Sequence, residues 1–306
     1  MLCNLWLIKK IKALWALTRL EHGLMYGCGV IIGIVIAGGS SYEPAILGFF
    51  TALFIQAGTF ALNDYCDLES DRANQRMDRP LVRGELREKE ALLVACLATT
   101  IGIIFAIFLS AILENLIFFL LALALAALGI LYDVKMKEFL AISNFYIAFT
   151  MAVPFIFGGL ITEPERMEVV SLILILSSIA FLAGLGREVM KDIEDVKGDE
   201  LRDVRSIARV YGMEKAKSVA IFSYSLAVIL SAVPFFLVNT SYFFNLAYIL
   251  PVMAADTLFV HTCFGLKLKS FRKRFVSFDI NYKYLRKETL IAIVIGLFAF
   301  ICGALI

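Results

Sequence analysis

Apolar runs long enough to cross a bilayer limit the possible folds of this chain more than any other feature. A transmembrane helix needs about 20 consecutive, mostly apolar residues to span a hydrocarbon core of about 30 Å. The hydrophobic share of 60% and the charged share of 18% also depart from soluble domains, which have about 45–50% and about 25%. We therefore expect an all-α, polytopic membrane protein. The nine predicted spans lie at about 23–40, 44–62, 89–112, 115–132, 140–161, 167–186, 216–238, 243–265 and 288–306.

Lysine and arginine residues are distributed very unevenly over the two sides of these spans. The N-terminal segment and the loops after even-numbered spans hold 28 of the 29, and Arg166 lies on the other side. The positive-inside rule then places the basic side and the N-terminus in the cytoplasm of a multi-pass cell-membrane protein. Residues 1–20, with Trp6 and Trp15 among lysines, are predicted to form an interfacial amphipathic segment. We expect a single membrane-embedded domain over residues 1–306.

Two segments on the predicted cytoplasmic side, at about 63–88 and 187–215, carry the same aspartate spacing, D-x-x-D-x-x-x-D. Positions i, i+3 and i+7 fall within about 60° of arc on one helix face. Each triad can therefore present its carboxylates together, provided that span 2 or span 6 continues as a helix past the membrane surface. The first triad is Asp64, Asp67 and Asp71, and the second is Asp192, Asp195 and Asp199.

Clustered carboxylates repel one another and favour a nearby cation. Oxygen ligands without histidine or cysteine indicate a hard divalent ion, Mg²⁺ in a cell. Mg²⁺ is commonly shared between one or two carboxylates and the phosphates of a substrate. Two triads that bracket a diphosphate, each through its own Mg²⁺, are the simplest interpretation. The alternative is a pair of solvated acidic helix ends with balancing arginines.

Basic and amide side chains accompany both triads. Arginine binds phosphate oxygens in a bidentate manner and lysine acts as a point charge, although some of these residues can be ordinary positive-inside anchors. Asn63 offers an amide able to bind metal, substrate or backbone. A diphosphate whose other end belongs in lipid is a polyprenyl diphosphate, so we expect that substrate class and the lipid bilayer as partners, and no nucleic acid. The basic candidates for phosphate binding are Arg72, Arg79 and Lys191.

The sequence "NDYCDLESD", followed by Arg79-Pro80, resembles the first aspartate-rich motif of the UbiA superfamily of intramembrane prenyltransferases, and "DIEDVKGD" resembles its second. The resemblance, closest to archaeal-type members, implies nine helices around a central cavity and Mg²⁺-dependent transfer of a prenyl group to a small acceptor. It adds Asn63 to the first metal–diphosphate site and Glu188 to the second. The family's YxxxK motif has no exact match, since Lys135 and Lys137 follow Tyr132 at other spacings.

The chemistry that this resemblance implies begins with ionisation of an allylic C–O bond. Negative charge then grows on the diphosphate, where Mg²⁺ and basic side chains stabilise it. The allylic carbocation needs shielding from water, and the ring face of Tyr132 can stabilise it. Catalytic roles are therefore expected for both aspartate triads and for Tyr132.

The acceptor stays open at the level of sequence. "RLEHGLMYG" resembles members that prenylate aromatic quinone precursors, with Arg19 meeting an acceptor carboxylate. "FIFGGL" and "GREVMKDIEDVKGD" resemble archaeal members that act on geranylgeranylglyceryl phosphate, with geranylgeranyl diphosphate as the donor. Asp256 and His261 either line the cavity or join helices by hydrogen bonds. Alternative functions are a transporter, or a cyclase or phosphatase that acts on a prenyl diphosphate without an acceptor.

Overall fold

The computed structural model describes residues 2–136, 139, 142–163, 166–201, 206–272 and 282–306. The regular elements in this part of the chain are all α-helices, which confirms the predicted all-α class. The helices are α1 (Leu2–Thr18), α2 (Leu20–Ile36), α3 (Tyr42–Cys66), α4 (Leu68–Ala73), α5 (Glu88–Ile112), α6 (Ile117–Val134), α7 (Ile142–Ile161), α8 (Met167–Leu201), α9 (Ile207–Tyr211), α10 (Met213–Phe236), α11 (Leu246–Arg272) and α12 (Tyr282–Leu305).

Eight of these helices are long and apolar enough to cross a membrane, counted over the described residues. A ninth span arises if the bent pair formed by Leu7–Thr18 and Leu20–Ile36, with 52° between its axes, counts as one. The protein is therefore a multi-pass membrane protein, as the hydropathy predicted. Residues 2–18 form a helix, and their placement at the membrane interface stays a prediction.

The chain divides into two compact units. Unit 1 comprises Met1–Ile31 and Ser41–Lys137, and unit 2 comprises Ile32–Ser40 and Glu138–Ile306. The first aspartate triad belongs to unit 1 and the second to unit 2. The single domain expected for residues 1–306 stays a prediction.

Unit 1 is built on the packing of α3 against α5, with α1, α4 and α6 also in contact with α3. Gly58 permits the close approach of α3 and α5, because a Cβ atom there would lie 2.9 Å from Thr99 N and 3.0 Å from Ala95 O. Beneath the first triad, a small apolar core buries Leu17, Leu68 and other residues of α1, α3, α4, α5 and the segment before α5. This core fixes α3 and α4, which carry the triad.

Unit 2 is built around α8, which packs on α7, α9, α10 and α12, while α11 joins α10 and α12. One apolar cluster surrounds Val189 and Met190, directly before the second triad. A second cluster includes Tyr242, Tyr248 and Phe300. Both tyrosine hydroxyls in that second cluster donate to backbone carbonyls, Tyr242 to Phe300 and Tyr248 to Ser231, as buried hydroxyls require.

Each triad was predicted to present its carboxylates together only if its span continues as a helix through the motif. The two units meet this requirement differently. Helix α8 runs without interruption through positions 192, 195 and 199 to Leu201, well past the predicted end of its span at 186. Helix α3 instead ends at Cys66, and α4 begins at Leu68. Backbone hydrogen bonds still cross this junction, since Asp67 N donates to Asn63 O and Asp71 N donates to Asp67 O.

Candidate active site

Asp64 is the centre of the first motif. It is 1% exposed, and its Oδ1 atom lies 2.7 Å from Arg19 Nη2 and 3.2 Å from Arg79 Nη1. A buried carboxylate is strongly disfavoured unless it is paired, and these two guanidinium groups provide the compensation. Within the described part of the chain, Asp64 Oδ2 has no hydrogen-bond partner. The two arginines thus hold one oxygen of the Asp64 carboxylate, and the other oxygen can accept a further ligand.

Arg19 reaches this carboxylate from the break between α1 and α2. Its backbone φ is +42°, in the left-handed region, which costs a non-glycine residue on the order of 1–3 kcal/mol. The guanidinium also lies 4.5 Å from the centre of the Phe60 ring, a cation–π contact. The salt bridge and the ring contact offset the backbone strain. The expected role of Arg19 at an acceptor carboxylate stays a prediction, and in this structure its acidic partner is Asp64.

Asp71 is the second buried acid of the first motif. Its Oδ2 atom lies 3.6 Å from Arg79 Nε, so Arg79 is close to two carboxylates of the triad. Burial raises the pKa of the Asp71 carboxyl above its usual value, and the positive charges of Arg79 and Arg76 oppose that rise. The hydrogen bond from Arg76 lowers the pKa of the neighbouring Asp78 to about 2. The motif is therefore a mixed network of acids and arginines rather than a purely acidic stripe.

Asp67 and Asn63 complete the first motif. Asp67 is half-buried at the junction of α3 and α4. Asn63 lies in the last turn of α3, and its Nδ2 donates to Asp133 Oδ1 on α6 at 3.0 Å. Asp133 is fully buried at 1% exposure and belongs to no motif that was evident in the sequence. The sequence feature that could have identified Asp133 is its position as a carboxylate at the end of an otherwise apolar span, next to Tyr132.

The remaining predicted residues of unit 1 lie farther out. Arg72 is exposed and pairs with Glu88 at 3.4 Å. Tyr132 is half-buried near the end of α6, and Lys135 follows α6 as an exposed residue. Lys137 lies outside the described residues. The structure thus brings Arg19, Arg79 and Asn63 into direct contact with buried acids, whereas Arg72 and Lys135 are exposed.

The second motif begins with Asp192 on α8. Its Oδ2 atom accepts a hydrogen bond of 2.8 Å from Asn144 Nδ2 on α7. Asn144 is 3% exposed, and the sequence analysis missed it although it is a polar side chain within an apolar span. Lys191 is exposed and lies 3.5 Å from Glu188. The side chains of Asp195 and Asp199 fall outside the described part of the structure, so their contribution stays a prediction.

Asp256 and His261 were expected either to line the cavity or to join helices. Asp256 joins helices, since it accepts a hydrogen bond of 2.8 Å from Ser231 on α10. It also borders a small void of about 60 Å³ within unit 2, and its place at the substrate cavity stays a prediction. His261 Nδ1 lies 2.8 Å from Glu288 Oε1 on α12, and Thr262 donates to the other oxygen of Glu288 at 3.0 Å. His261 therefore belongs to a contact between α11 and α12.

The donor atoms of the two motifs suit a hard cation. Carboxylate and amide oxygens predominate, and Asp64 provides a buried oxygen without a hydrogen-bond partner in the described structure. Among the described residues, no three acidic, histidine or cysteine side chains converge on one point. An Mg²⁺ ion held by the first motif would therefore use one or two protein oxygens, with phosphate and water as its other ligands. This is its usual coordination in proteins.

The chain is similar in sequence to two archaeal proteins that share one name. The chain is 45% identical, over 96% of its length and 96% of the relative, to a digeranylgeranylglyceryl phosphate synthase of Archaeoglobus fulgidus. It is 32% identical to the protein of that name from Methanosphaera stadtmanae, over 94% of this chain and 97% of that one.

Solved structures have the same fold. A structure described as giving insights into digeranylgeranylglyceryl phosphate synthase in membranes matches with a TM-score of 0.73 and 30% identity, over 96% of this chain and 98% of that one. A UbiA homolog from Archaeoglobus fulgidus bound to GPP and Mg²⁺ matches with a TM-score of 0.63 over 97% of this chain and 100% of that one, at 20% identity. The profile of the UbiA prenyltransferase family matches residues 27–280. The chain belongs to the UbiA prenyltransferase family.

Proposed function

We propose that this prenyltransferase moves a geranylgeranyl group from its diphosphate to geranylgeranylglyceryl phosphate, with Mg²⁺ as cofactor. The observation that carries the choice of acceptor is the name digeranylgeranylglyceryl phosphate synthase, which both of these relatives have. That product contains two geranylgeranyl groups on one glyceryl phosphate. A prenyltransferase that adds one of them needs the mono-prenylated glyceryl phosphate as acceptor and the prenyl diphosphate as donor.

The reaction forms one ether bond and breaks one allylic C–O bond. The acceptor hydroxyl oxygen bonds to the first carbon of the prenyl chain, the diphosphate leaves with the bonding electrons, and the hydroxyl proton is released. Mg²⁺, when bound, supplies positive charge that stabilises the leaving diphosphate. A homolog bound to GPP and Mg²⁺ supports the same requirement in this chain.

The aspartates of both motifs are proposed to act at the diphosphate. In unit 1, Asp64 is already flanked by Arg19 and Arg79, so a diphosphate bound at this motif would meet fixed positive charge as well as metal. Preorganised charge of this kind stabilises a developing anion without reorganisation. We assign Arg72, Lys135, Lys137 and Lys191 to phosphate binding as well, and the ring of Tyr132 to the allylic cation.

We place this chemistry at the cytoplasmic surface of the membrane. The 28 lysine and arginine residues on one side of the spans support that orientation through the positive-inside rule. In the topology predicted from the sequence, both aspartate motifs follow even-numbered spans and are therefore expected on that side. The orientation can be tested in a variant whose six native cysteines are replaced by serine. A single cysteine is introduced at position 74 or 240 and labelled in intact cells with a membrane-impermeant thiol reagent. We expect protection at position 74 and labelling at position 240, and the reverse pattern contradicts the orientation.

A paired-acceptor assay tests the proposed substrates. Purified protein in nanodiscs receives radiolabelled geranylgeranyl diphosphate and Mg²⁺, together with geranylgeranylglyceryl phosphate or 4-hydroxybenzoate in separate reactions. We expect labelled digeranylgeranylglyceryl phosphate from the first reaction and no prenylated product from the second. Prenylated 4-hydroxybenzoate would identify an aromatic acceptor instead. Labelled prenyl alcohol or hydrocarbon formed without any acceptor would indicate a phosphatase or a cyclase.

A further inference from the structure

Asp133 is a buried carboxylate that belongs to neither aspartate motif. It is the only acidic residue in the sequence of α6, it is 1% exposed, and its Oδ1 atom accepts a hydrogen bond from Asn63 Nδ2 at 3.0 Å. An ionised carboxylate in such surroundings is costly unless hydrogen bonds compensate it. Asn63 directly precedes Asp64, so this contact connects α6 to the first motif.

The chemistry of the two groups fixes the orientation of the Asn63 side chain. A carboxamide can rotate by 180°, which exchanges its oxygen with its NH₂ group. In the structure the NH₂ group faces Asp133 and donates to it, as an ionised carboxylate, which only accepts hydrogen bonds, requires. The Oδ1 atom of Asn63 is therefore on the side of the carboxamide that Asp133 does not hold. Oxygen is also the end of a carboxamide that binds Mg²⁺ or accepts a hydrogen bond.

We propose that Asp133 is a positioning residue, which holds the Asn63 carboxamide in the orientation that offers Oδ1 to the metal–diphosphate complex. This inference rests on the proposed function of the first motif. The negative charge of an ionised Asp133 also polarises the amide, which makes its oxygen a better metal ligand and hydrogen-bond acceptor. Outer hydrogen-bond partners of metal ligands act in this way, and their loss typically weakens metal binding about 10–100-fold.

A purely structural role is the competing explanation, because the same hydrogen bond ties α3 to α6. The two roles differ in what they change. A structural tie affects thermal unfolding alone, whereas a positioning residue changes the Mg²⁺ concentration that is needed to bind the diphosphate. The binding probe is geranylgeranyl thiolodiphosphate, an unreactive analogue of the donor, with its affinity measured as a function of Mg²⁺.

Asp133→Leu and Asp133→Asn are the first pair of variants. Leucine removes the acceptor, so we expect the half-saturating Mg²⁺ concentration to rise about 10–100-fold. Asparagine keeps a carbonyl that can accept from Asn63, so we expect a smaller rise. Ser110→Ala is the matched control. The Ser110 hydroxyl accepts a hydrogen bond from Phe119 N at 2.8 Å, so this substitution removes a different hydrogen bond to α6. We expect the control to leave the Mg²⁺ requirement unchanged.

A reversal of the pair provides the sharper test. Asn63→Asp alone places two carboxylates against each other and should weaken Mg²⁺-dependent binding of the probe. Adding Asp133→Asn lets the new amide donate to residue 63, which restores the hydrogen bond and leaves the second oxygen of residue 63 available. We expect the double variant to bind the probe better than Asn63→Asp alone.

The outcomes separate this inference from the function on which it rests. If the unmodified protein binds the probe with Mg²⁺ and Asp133→Leu does so with the same Mg²⁺ requirement, the positioning role is wrong and the proposed function stands. A double variant no better than Asn63→Asp would contradict it equally. If the unmodified protein shows no Mg²⁺-dependent binding, the proposed function fails and this inference with it.

Discussion

Asn144 on α7 donates a hydrogen bond to Asp192 on α8, with 2.8 Å between Nδ2 and Oδ2. The bond holds one oxygen of the first aspartate in the second motif and so restricts the orientation of that carboxylate. In unit 1, the amide belongs to the motif residue Asn63 and the carboxylate, Asp133, to the neighbouring helix. In each unit, a hydrogen bond between an amide and a carboxylate thus connects the aspartate motif to an adjacent helix.

Replacing Asn144 with Leu should weaken binding of the Mg²⁺–diphosphate complex about 10–100-fold. Leucine has a similar volume but cannot hold the Asp192 carboxylate. The measurement is the Mg²⁺ dependence of geranylgeranyl thiolodiphosphate binding. Ser178→Ala on the same helix as Asp192 is the control, since its hydroxyl donates to the backbone of its own helix at 2.7 Å. If Asn144→Leu leaves the Mg²⁺ requirement unchanged, Asn144 has no role in binding the Mg²⁺–diphosphate complex.

Asp64 and Asp67 should respond differently to replacement by alanine. Asp64→Ala leaves two partly buried arginines without their shared carboxylate, and breaking a buried pair costs about 3–5 kcal/mol. Asp67 is only half-buried and lies between α3 and α4, whereas Asp64 is 1% exposed. We therefore expect Asp67→Ala to lower activity by about 100-fold or more with little loss of stability.

Thermal unfolding and turnover of the two variants, measured in the same detergent, check this difference. Asp64→Ala should show both a lower unfolding temperature and a loss of activity. Equal destabilisation by the two substitutions would indicate that Asp67 has a mainly structural role. An active Asp67→Ala protein would exclude it from catalysis.

Gly58→Ala should destabilise the contact between α3 and α5. The added methyl group would lie 2.9 Å from Thr99 N and 3.0 Å from Ala95 O, and overpacking of this kind costs about 1–3 kcal/mol. Gly296→Ala is the matched control, because a Cβ atom at that position meets no other atom within 4 Å. We expect a lower unfolding temperature for the first variant and an unchanged or higher one for the second. If Gly58→Ala is as stable as the unmodified protein, the contact between α3 and α5 can widen to accommodate the methyl group at little cost.

The membrane spans and both aspartate motifs could be predicted from the sequence because each depends on local patterns. Apolar runs predicted where helices cross, and the structure moves most of their ends by only a few residues. The largest difference is α8, which continues to Leu201 rather than ending near 186. Hydropathy detects where the lipid ends, whereas a helix continues for as long as its backbone hydrogen bonds are formed.

The partners of the motif residues could not be predicted because they depend on which helix faces meet. Arg19 and Asp64 are 45 residues apart in sequence, and Asn63 and Asp133 are 70 apart. Spacing alone predicted that each triad presents its three carboxylates together, whereas arginines contact two acids of the first triad in the structure. Asp133 and Asn144 were missed for the same reason, since a single polar residue near the end of an apolar span does not identify its partner.

The central claim is that prenyl transfer by this chain depends on both Mg²⁺ and the aspartate motifs. The most direct measurement follows diphosphate release and ether product together, with geranylgeranyl diphosphate and geranylgeranylglyceryl phosphate as substrates. Protein depleted of metal with EDTA is compared with the same protein after Mg²⁺ is restored, and Asp67→Ala and Asp195→Ala are treated in parallel. We predict equal amounts of diphosphate and ether product, formed only with Mg²⁺ and only by the unmodified protein. Undiminished product after metal depletion, or from either variant, would contradict the account.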